Sequence, residues 1–252
     1  MTTRLKDKVA IVTGGGRDIG RSVSLRLASE GAKVVVNYCN DEANARRTVD
    51  DILARGGTAI LHRADVSRSA DVAGLIAASR QAFGDRIDIL VNLAGGMVAR
   101  KSLDDMDEAF LDQVMNLNFK SAFLVTKAAR PWLGSGASII NFSSQAGRDG
   151  GGPGASAYAS SKGALMTFTR ALAKELGPQG IRVNALCPGL IGTTFHDIFS
   201  KPEGRKATAG NTPLRREGNA DEVAAAVAFL ASNDASFLTG VNLDVNGGLY
   251  FS

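Results

Sequence analysis

The sequence predicts an α/β fold of the doubly wound type, a parallel sheet with helices on both faces. Three observations carry this reading. Short runs rich in Val and Ile alternate with longer stretches of helical period. The strand runs are almost continuously apolar, as expected for strands covered on both sides. A glycine-rich turn, Thr13-Gly-Gly-Gly-Arg-Asp-Ile-Gly20, falls between the first strand and the first helix.

In order, strand 9–12 precedes helix 19–30, strand 34–36 precedes helix 41–55, and strand 59–61 precedes helix 70–83. The pattern continues with strand 87–93, a helix over about 107–132, strand 138–142, helix 158–176, strand 183–186, helix 221–230 and strand 241–245. No linker or repeat interrupts the seven strands, so residues 1–252 are expected to form one Rossmann-like domain. The long segment without a strand, 189–216, contains Pro202, Gly204, Gly210 and Pro213 and is expected to fold over a site as a lid.

Composition narrows the function class. Lys and Arg number 29 against 25 Asp and Glu, spread along the chain, which argues against a dedicated nucleic-acid surface. The charged start leaves no room for the apolar core of a signal peptide, and no later stretch is apolar for long enough to span a bilayer. Cys39 and Cys187 lie far apart with no Cys or His at metal-ligand spacing, so no metal is expected. Together these features point to a reducing compartment and a cytoplasmic location.

At the glycine turn, backbone N–H groups and the helix dipole can hold a pyrophosphate, with Gly14, Gly16, Arg17, Asp18, Ile19 and Gly20 around it. About twenty residues on, where an acidic side chain would accept the ribose hydroxyls of NAD, the sequence has Asn37. A neutral amide there, with Arg17 in the turn, predicts NADP(H) over NAD(H).

Tyr158 and Lys162 are one helical turn apart on one face, and a lysine charge there is expected to draw the phenol's pKa towards neutrality. Ser144 ends the fifth strand, at the carboxyl edge where doubly wound folds place ligands, whereas its neighbour Ser143 is expected to turn away. Asn118 falls mid-helix, where its poor helix propensity predicts a local distortion or a bound water; Asn116 competes for that role.

These motifs resemble the classical short-chain dehydrogenase/reductase family along essentially the whole chain. Besides the glycine turn and Tyr158-x-x-x-Lys162, the resemblance includes Ala64-Asp65-Val66, Asn92-Leu-Ala94-Gly95, Pro188-Gly189 and Thr193. Two positions depart from the pattern: Asp18 stands for the middle glycine and Leu93 for an asparagine. A carboxylate beside a diphosphate is expected to turn inward and cap its helix, with Arg17 and Arg21 offsetting its charge.

The resemblance implies that Tyr158 exchanges the proton, Lys162 supports it and holds the nicotinamide ribose, Ser144 polarises the substrate oxygen, and Asn118 holds a relay water. It decides for Asn118 over Asn116. It further implies that Asp65 and Val66 lie near the adenine, that Asn92, Ala94 and Gly95 line the cofactor, and that Pro188, Gly189, Ile191 and Thr193 position the carboxamide end. It also implies a homotetramer.

For the substrate, Val35-Val-Asn-Tyr38 and Arg63-Ala-Asp-Val66 are similar to 3-oxoacyl-acyl-carrier-protein reductases, but the connection 131–138 lacks the Lys or Arg that an acidic carrier would need. Stretches such as Gly95–Lys101, Gly150–Ala155 and Thr194-Phe-His196 are similar to 4-deoxy-5-oxo-hexuronate reductases. There Arg100, Lys101 and His196 could pair with a sugar-acid carboxylate. A keto-sugar acid is therefore the expected substrate, with a 3-oxoacyl thioester as the alternative. A non-catalytic dinucleotide sensor is the remote reading, since all four reaction-centre positions are present.

Overall fold

The computed structural model describes residues 3–252. Its seven strands are β1 (Val9–Val12), β2 (Lys33–Tyr38), β3 (Thr58–Arg63), β4 (Ile87–Asn92), β5 (Leu133–Phe142), β6 (Arg182–Pro188) and β7 (Asn242–Val245). They form one parallel sheet in the order β3-β2-β1-β4-β5-β6-β7. The winding reverses between β1 and β4, which opens a crevice at their carboxyl ends.

Strand alternation sorts side chains to two cores. Ala10, Val12, Val34 and Val36 pack with α1 (Asp18–Ser29), α2 (Glu42–Ala54) and α10 (Ala220–Ala231). Ile11, Val35 and Leu90 pack on the other face, with α3 (Ser69–Phe83), α5 (Ser121–Ala129) and α7 (Ser156–Leu176). Because both strand faces are covered, the runs read as continuously apolar. Helix starts are chemically marked: Asp41 accepts from the Asn44 N–H at α2, and Asn219 with Glu222 forms a capping box at α10.

Three places differ from the sequence expectation. The helix expected over 107–132 is α4 (Glu108–Met115), a π-helical turn (Asn116–Lys120), α5 and a 3₁₀ turn (Arg130–Trp132). The connection before the fifth strand belongs to β5 itself, with a register shift against β4. A short helix α6 (Ala146–Asp149) follows β5, and the expected lid carries α8 (Thr194–Phe199) and α9 (Pro202–Asn211). Arg205 on α9 ties this segment together by pairing with Asp197 and Glu217. Among the described residues no helix is long and apolar enough to cross a membrane.

Candidate active site

The glycine turn fills the crevice wall with backbone. Gly14 has φ +64°, and a Cβ there would lie 3.2 Å from the Ala94 Cα. A Cβ at Gly16 would stand 2.5 Å from that of Ala45, and one at Gly20 would overlap the Gly14 carbonyl. Side chains are therefore excluded where α1 begins, and Ile19 packs back into the core. This bare cradle at a helix N-terminus fits a dinucleotide diphosphate.

Asp18 does not cap its own helix. Its carboxylate crosses to α8 and accepts from Thr194 N–H at 3.1 Å and Thr194 Oγ1 at 2.5 Å, while Arg17 Nη1 reaches both Asp18 and Thr194. Arg21 pairs with Asp51 instead of offsetting Asp18.

Asn37 is also placed differently from the expectation. Its Oδ1 accepts from Gly14 N–H and its Nδ2 donates to the Tyr38 and Ala64 carbonyls, so the buried amide braces the turn from beneath. The chain positions next past it at the strand end are Tyr38, Cys39 and Asn40. Asn92 is likewise a brace, donating from Nδ2 to Thr126 Oγ1 and Asn141 Oδ1. Ala94 and Gly95 stay at the crevice, held close because Thr13 Oγ1 accepts the Leu93 and Ala94 N–H groups. Asp65 accepts from Ser67 in a turn beside buried Val66, and it lines a cavity of about 480 Å³ with Cys39, Asn40, His62 and Arg63.

The four expected reaction-centre residues come from three neighbouring elements. The π-helical turn carries Asn118, whose Oδ1 accepts from Gly96 N–H and whose Nδ2 donates to Gly96 O and Val114 O, all at 2.9 Å. The distortion expected at a mid-helix asparagine is this extra-residue turn. Ser144 and Tyr158 are hydrogen-bonded through their hydroxyls. Ser143 turns inward, donating to the Lys162 carbonyl at 2.7 Å. Lys162 Nζ donates to Phe142 O at 2.7 Å and lies 5.7 Å from the centroid of the Tyr158 ring. A Cβ on Gly95 would stand 2.6 Å from Asn118 Oδ1 and 3.1 Å from Lys162 Nζ, so one glycine surface carries both groups.

Electrostatics correct one expectation. Burial pushes the Tyr158 phenol above its usual pKa, opposed by its bond to Ser144, so Lys162 does not bring it to neutrality in this state. Lys162 itself is pushed down to about 8 by burial.

Pro188, Gly189, Ile191 and Thr193 lead from the end of β6 into α8. Gly189 is pressed against Asn246, Ile191 is buried and bridges to Gly218, and Thr193 Oγ1 donates to Ile191 O. Sequence reasoning missed the aromatic rings that follow: Phe195 lies 5.9 Å from Tyr158 and 5.0 Å from Phe199, centroid to centroid. The phenylalanine spacing on a short helix was the available signal. The cations expected to meet a carboxylate are engaged elsewhere. Arg100 donates to Phe199 O and Pro153 O, Lys101 stands over the Phe110 ring, and burial and Arg205 keep His196 neutral.

Comparison with known proteins agrees with this arrangement. A family described as enoyl-(acyl carrier protein) reductase matches residues 14–250. The chain is 39% identical to an uncharacterized oxidoreductase of Methylorubrum extorquens, covering 98% of this chain and 99% of that one. It is 37% identical to a protein of Zymoseptoria tritici named as a probable tetrahydroxynaphthalene reductase, covering 98% and 96%. A Staphylococcus aureus 3-oxoacyl-[acyl-carrier-protein] reductase is 38% identical, covering 96% and 98%. Among solved structures, a Sinorhizobium meliloti dehydrogenase/reductase superposes with TM-score 0.94 at 35% identity, covering 99% of this chain and 98% of that one. A Burkholderia cenocepacia short-chain dehydrogenase in complex with NADP superposes with TM-score 0.92 at 35% identity, covering 98% and 99%. A bare glycine cradle, a Tyr-Lys pair seated beside it and relatives matched over nearly their whole length lead to one assignment: the chain belongs to the short-chain dehydrogenase/reductase family and is an NAD(P)-dependent oxidoreductase.

Proposed function

We propose that the chain reduces a ketone on a flat, largely apolar body, with NADPH as reductant and Tyr158 as the proton donor. The observation that carries the substrate reading is the Phe195 ring beside Tyr158, backed by Phe199, which gives the reacting position an aromatic wall. The tetrahydroxynaphthalene-type name of one relative supports a ring-shaped substrate. A keto-sugar acid is less well served, because Arg100 and Lys101 are committed to loop carbonyls and an aromatic face. A 3-oxoacyl thioester is the second reading, favoured by the Staphylococcus aureus relative.

When bound, the reduced nicotinamide supplies the hydride. The protein's part is to hold the ketone oxygen between the Ser144 and Tyr158 hydroxyls, which stabilise negative charge as it develops there. Burial holds the phenol above its usual pKa, so it meets the ketone protonated and able to donate. Lys162 places a positive charge behind the phenol and balances the phenolate left after transfer. Asn118, fixed through Gly96, would hold a relay water between Lys162 and solvent.

NADPH is favoured because Tyr38, Cys39 and Asn40 offer no carboxylate to the ribose and Asp41 is committed to capping α2, while Arg17 lies in the adjacent turn. Gly14, Gly16, Ile19 and Gly20 would shape the diphosphate wall, and Asp65 and Val66 the adenine end. Exposed Leu111 and Phe123 on α4 and α5, with Phe237 and Phe251 near the last strand, support a homotetramer. Sedimentation of a monomer would reject that assembly.

The test is NADPH oxidation against cyclic aromatic ketones, a 3-oxoacyl thioester and a keto-uronate. Highest kcat/KM on the cyclic ketones, falling at least about tenfold in Phe195→Ala, is expected. A keto-uronate preference, or indifference to Phe195, would refute the substrate reading. NADPH binding without turnover on any arm would restore the sensor reading.

A further inference from the structure

We propose that Asp18 is an internal anion that competes with the cofactor's phosphates and, until it is displaced, fastens α8 to the glycine turn. Asp18 occupies the position of the missing middle glycine and adopts φ +49°, the left-handed region open to Gly, Asn and Asp. From there its carboxylate spans the crevice between its two walls, 176 residues apart in sequence. It takes three donors at once: Thr194 N–H at 3.1 Å, Thr194 Oγ1 at 2.5 Å, and Arg17 Nη1 at 3.1 Å. Arg17 Nη1 also donates to Thr194 Oγ1 at 2.7 Å, which closes the group into a ring.

A backbone N–H, a hydroxyl and a guanidinium converging on one anion are the donor set a phosphate oxygen would take. The carboxylate therefore satisfies, from within the chain, donors that a dinucleotide entering the crevice would engage. Like charge sharpens the competition, because a diphosphate brought beside Asp18 is repelled until the carboxylate is released. The contact also ties α8 to the glycine turn directly after Thr193, so the same release frees the lid. Arg17 is freed with it, and Arg17 is the cation available to a 2′-phosphate.

This inference rests on the dinucleotide site described above, and its test separates the two. Titration calorimetry of purified enzyme with NADPH and with NADH would compare wild type with Asp18→Asn, which keeps the backbone conformation and removes the charge. Asp18→Gly serves as a second variant should the first fail to fold. The expected result is about tenfold tighter NADPH binding, equivalent to about 1.4 kcal/mol, with a smaller gain for NADH. Trypsin should also cut the nucleotide-free variant faster at Lys206 in the lid. Unaltered or weaker nucleotide binding in both variants would overturn the competition, as would unchanged lid protection. Failure of the wild type to bind either nucleotide would overturn the site reading as well.

Discussion

Adding one methyl group at Gly95 should disable catalysis while leaving the fold in place. In Gly95→Ala the new Cβ would stand 2.6 Å from Asn118 Oδ1 and 3.1 Å from Lys162 Nζ. Ordinary contact begins near 3.4 Å, so Asn118 must retreat by about 0.8 Å. It has little freedom to do so, because its amide makes three hydrogen bonds of 2.9 Å to Gly96 and Val114. Overpacking of this kind costs about 1–3 kcal/mol of stability, a fall in Tm of roughly 2–12 °C for a chain this long. Displacement of reacting groups by about 1 Å costs roughly a hundredfold in rate, or about 2.7 kcal/mol of barrier. The assay is kcat/KM for NADPH-dependent ketone reduction, with nucleotide affinity and Tm measured on the same preparation. A Gly95→Ala enzyme within about threefold of wild-type kcat/KM would refute the placement of Asn118 and Lys162 around this glycine.

Tyr158→Phe should keep NADPH affinity while turnover falls by roughly 10²–10⁴, since only the transferable proton is lost; substantial residual rate would remove Tyr158 from its role. With Lys162 brought down to about 8, reduction should be fastest below that pH and decline above it as the ammonium is lost, and a flat profile to pH 10 would contradict this. The stability sign is the reverse. The unfolded chain keeps its lysine protonated up to the model-compound value of 10.5, so the burden of about 3 kcal/mol is full below pH 8 and fades as pH rises from there. Denaturant titration of wild type against Lys162→Met would show that difference shrinking with pH. Arg148→Met should lower stability by about 2–4 kcal/mol by leaving Asp244 unpaired, since both partners are 14% exposed; an unchanged Tm would show the pair to be dispensable.

Periodicity was enough to place the strands, because each is buried on both faces and so carries an uninterrupted apolar run. The proximity of Tyr158 and Lys162 was legible because one helical turn determines neighbourhood, whereas burial reverses the pKa shift expected from it. Asn118 announced itself through a local conflict, a poor helix former held mid-helix, and the π-helical turn is how the chain resolves it. Asn37 was harder because strand parity decides its direction. One residue further along, Tyr38 would be on the other face, and no short motif fixes that register. Asp18 was beyond reach for a different reason: its partner Thr194 is distant in sequence, and its capping power can serve a foreign helix as well as its own. The same holds for Arg100, whose acceptors Phe199 and Pro153 lie on α8 and on a distant loop. Charge could be read from the sequence, but not its commitment.

The reversal of winding between β1 and β4 gives the molecule an uneven tolerance to sequence drift. Residues ahead of it meet a reactant that never varies, and glycines such as Gly16 and Gly20 have no room for even one extra carbon. Beyond it, the stretch around Phe195 and Phe199 hangs from β6 on two short helices braced by Arg205. If these rings face the substrate as proposed, exchanging them would change which ketone is taken without disturbing a single strand. Lineages of this enzyme should therefore diverge in their last quarter while their first remains still, and a new substrate is within reach of a few changes there.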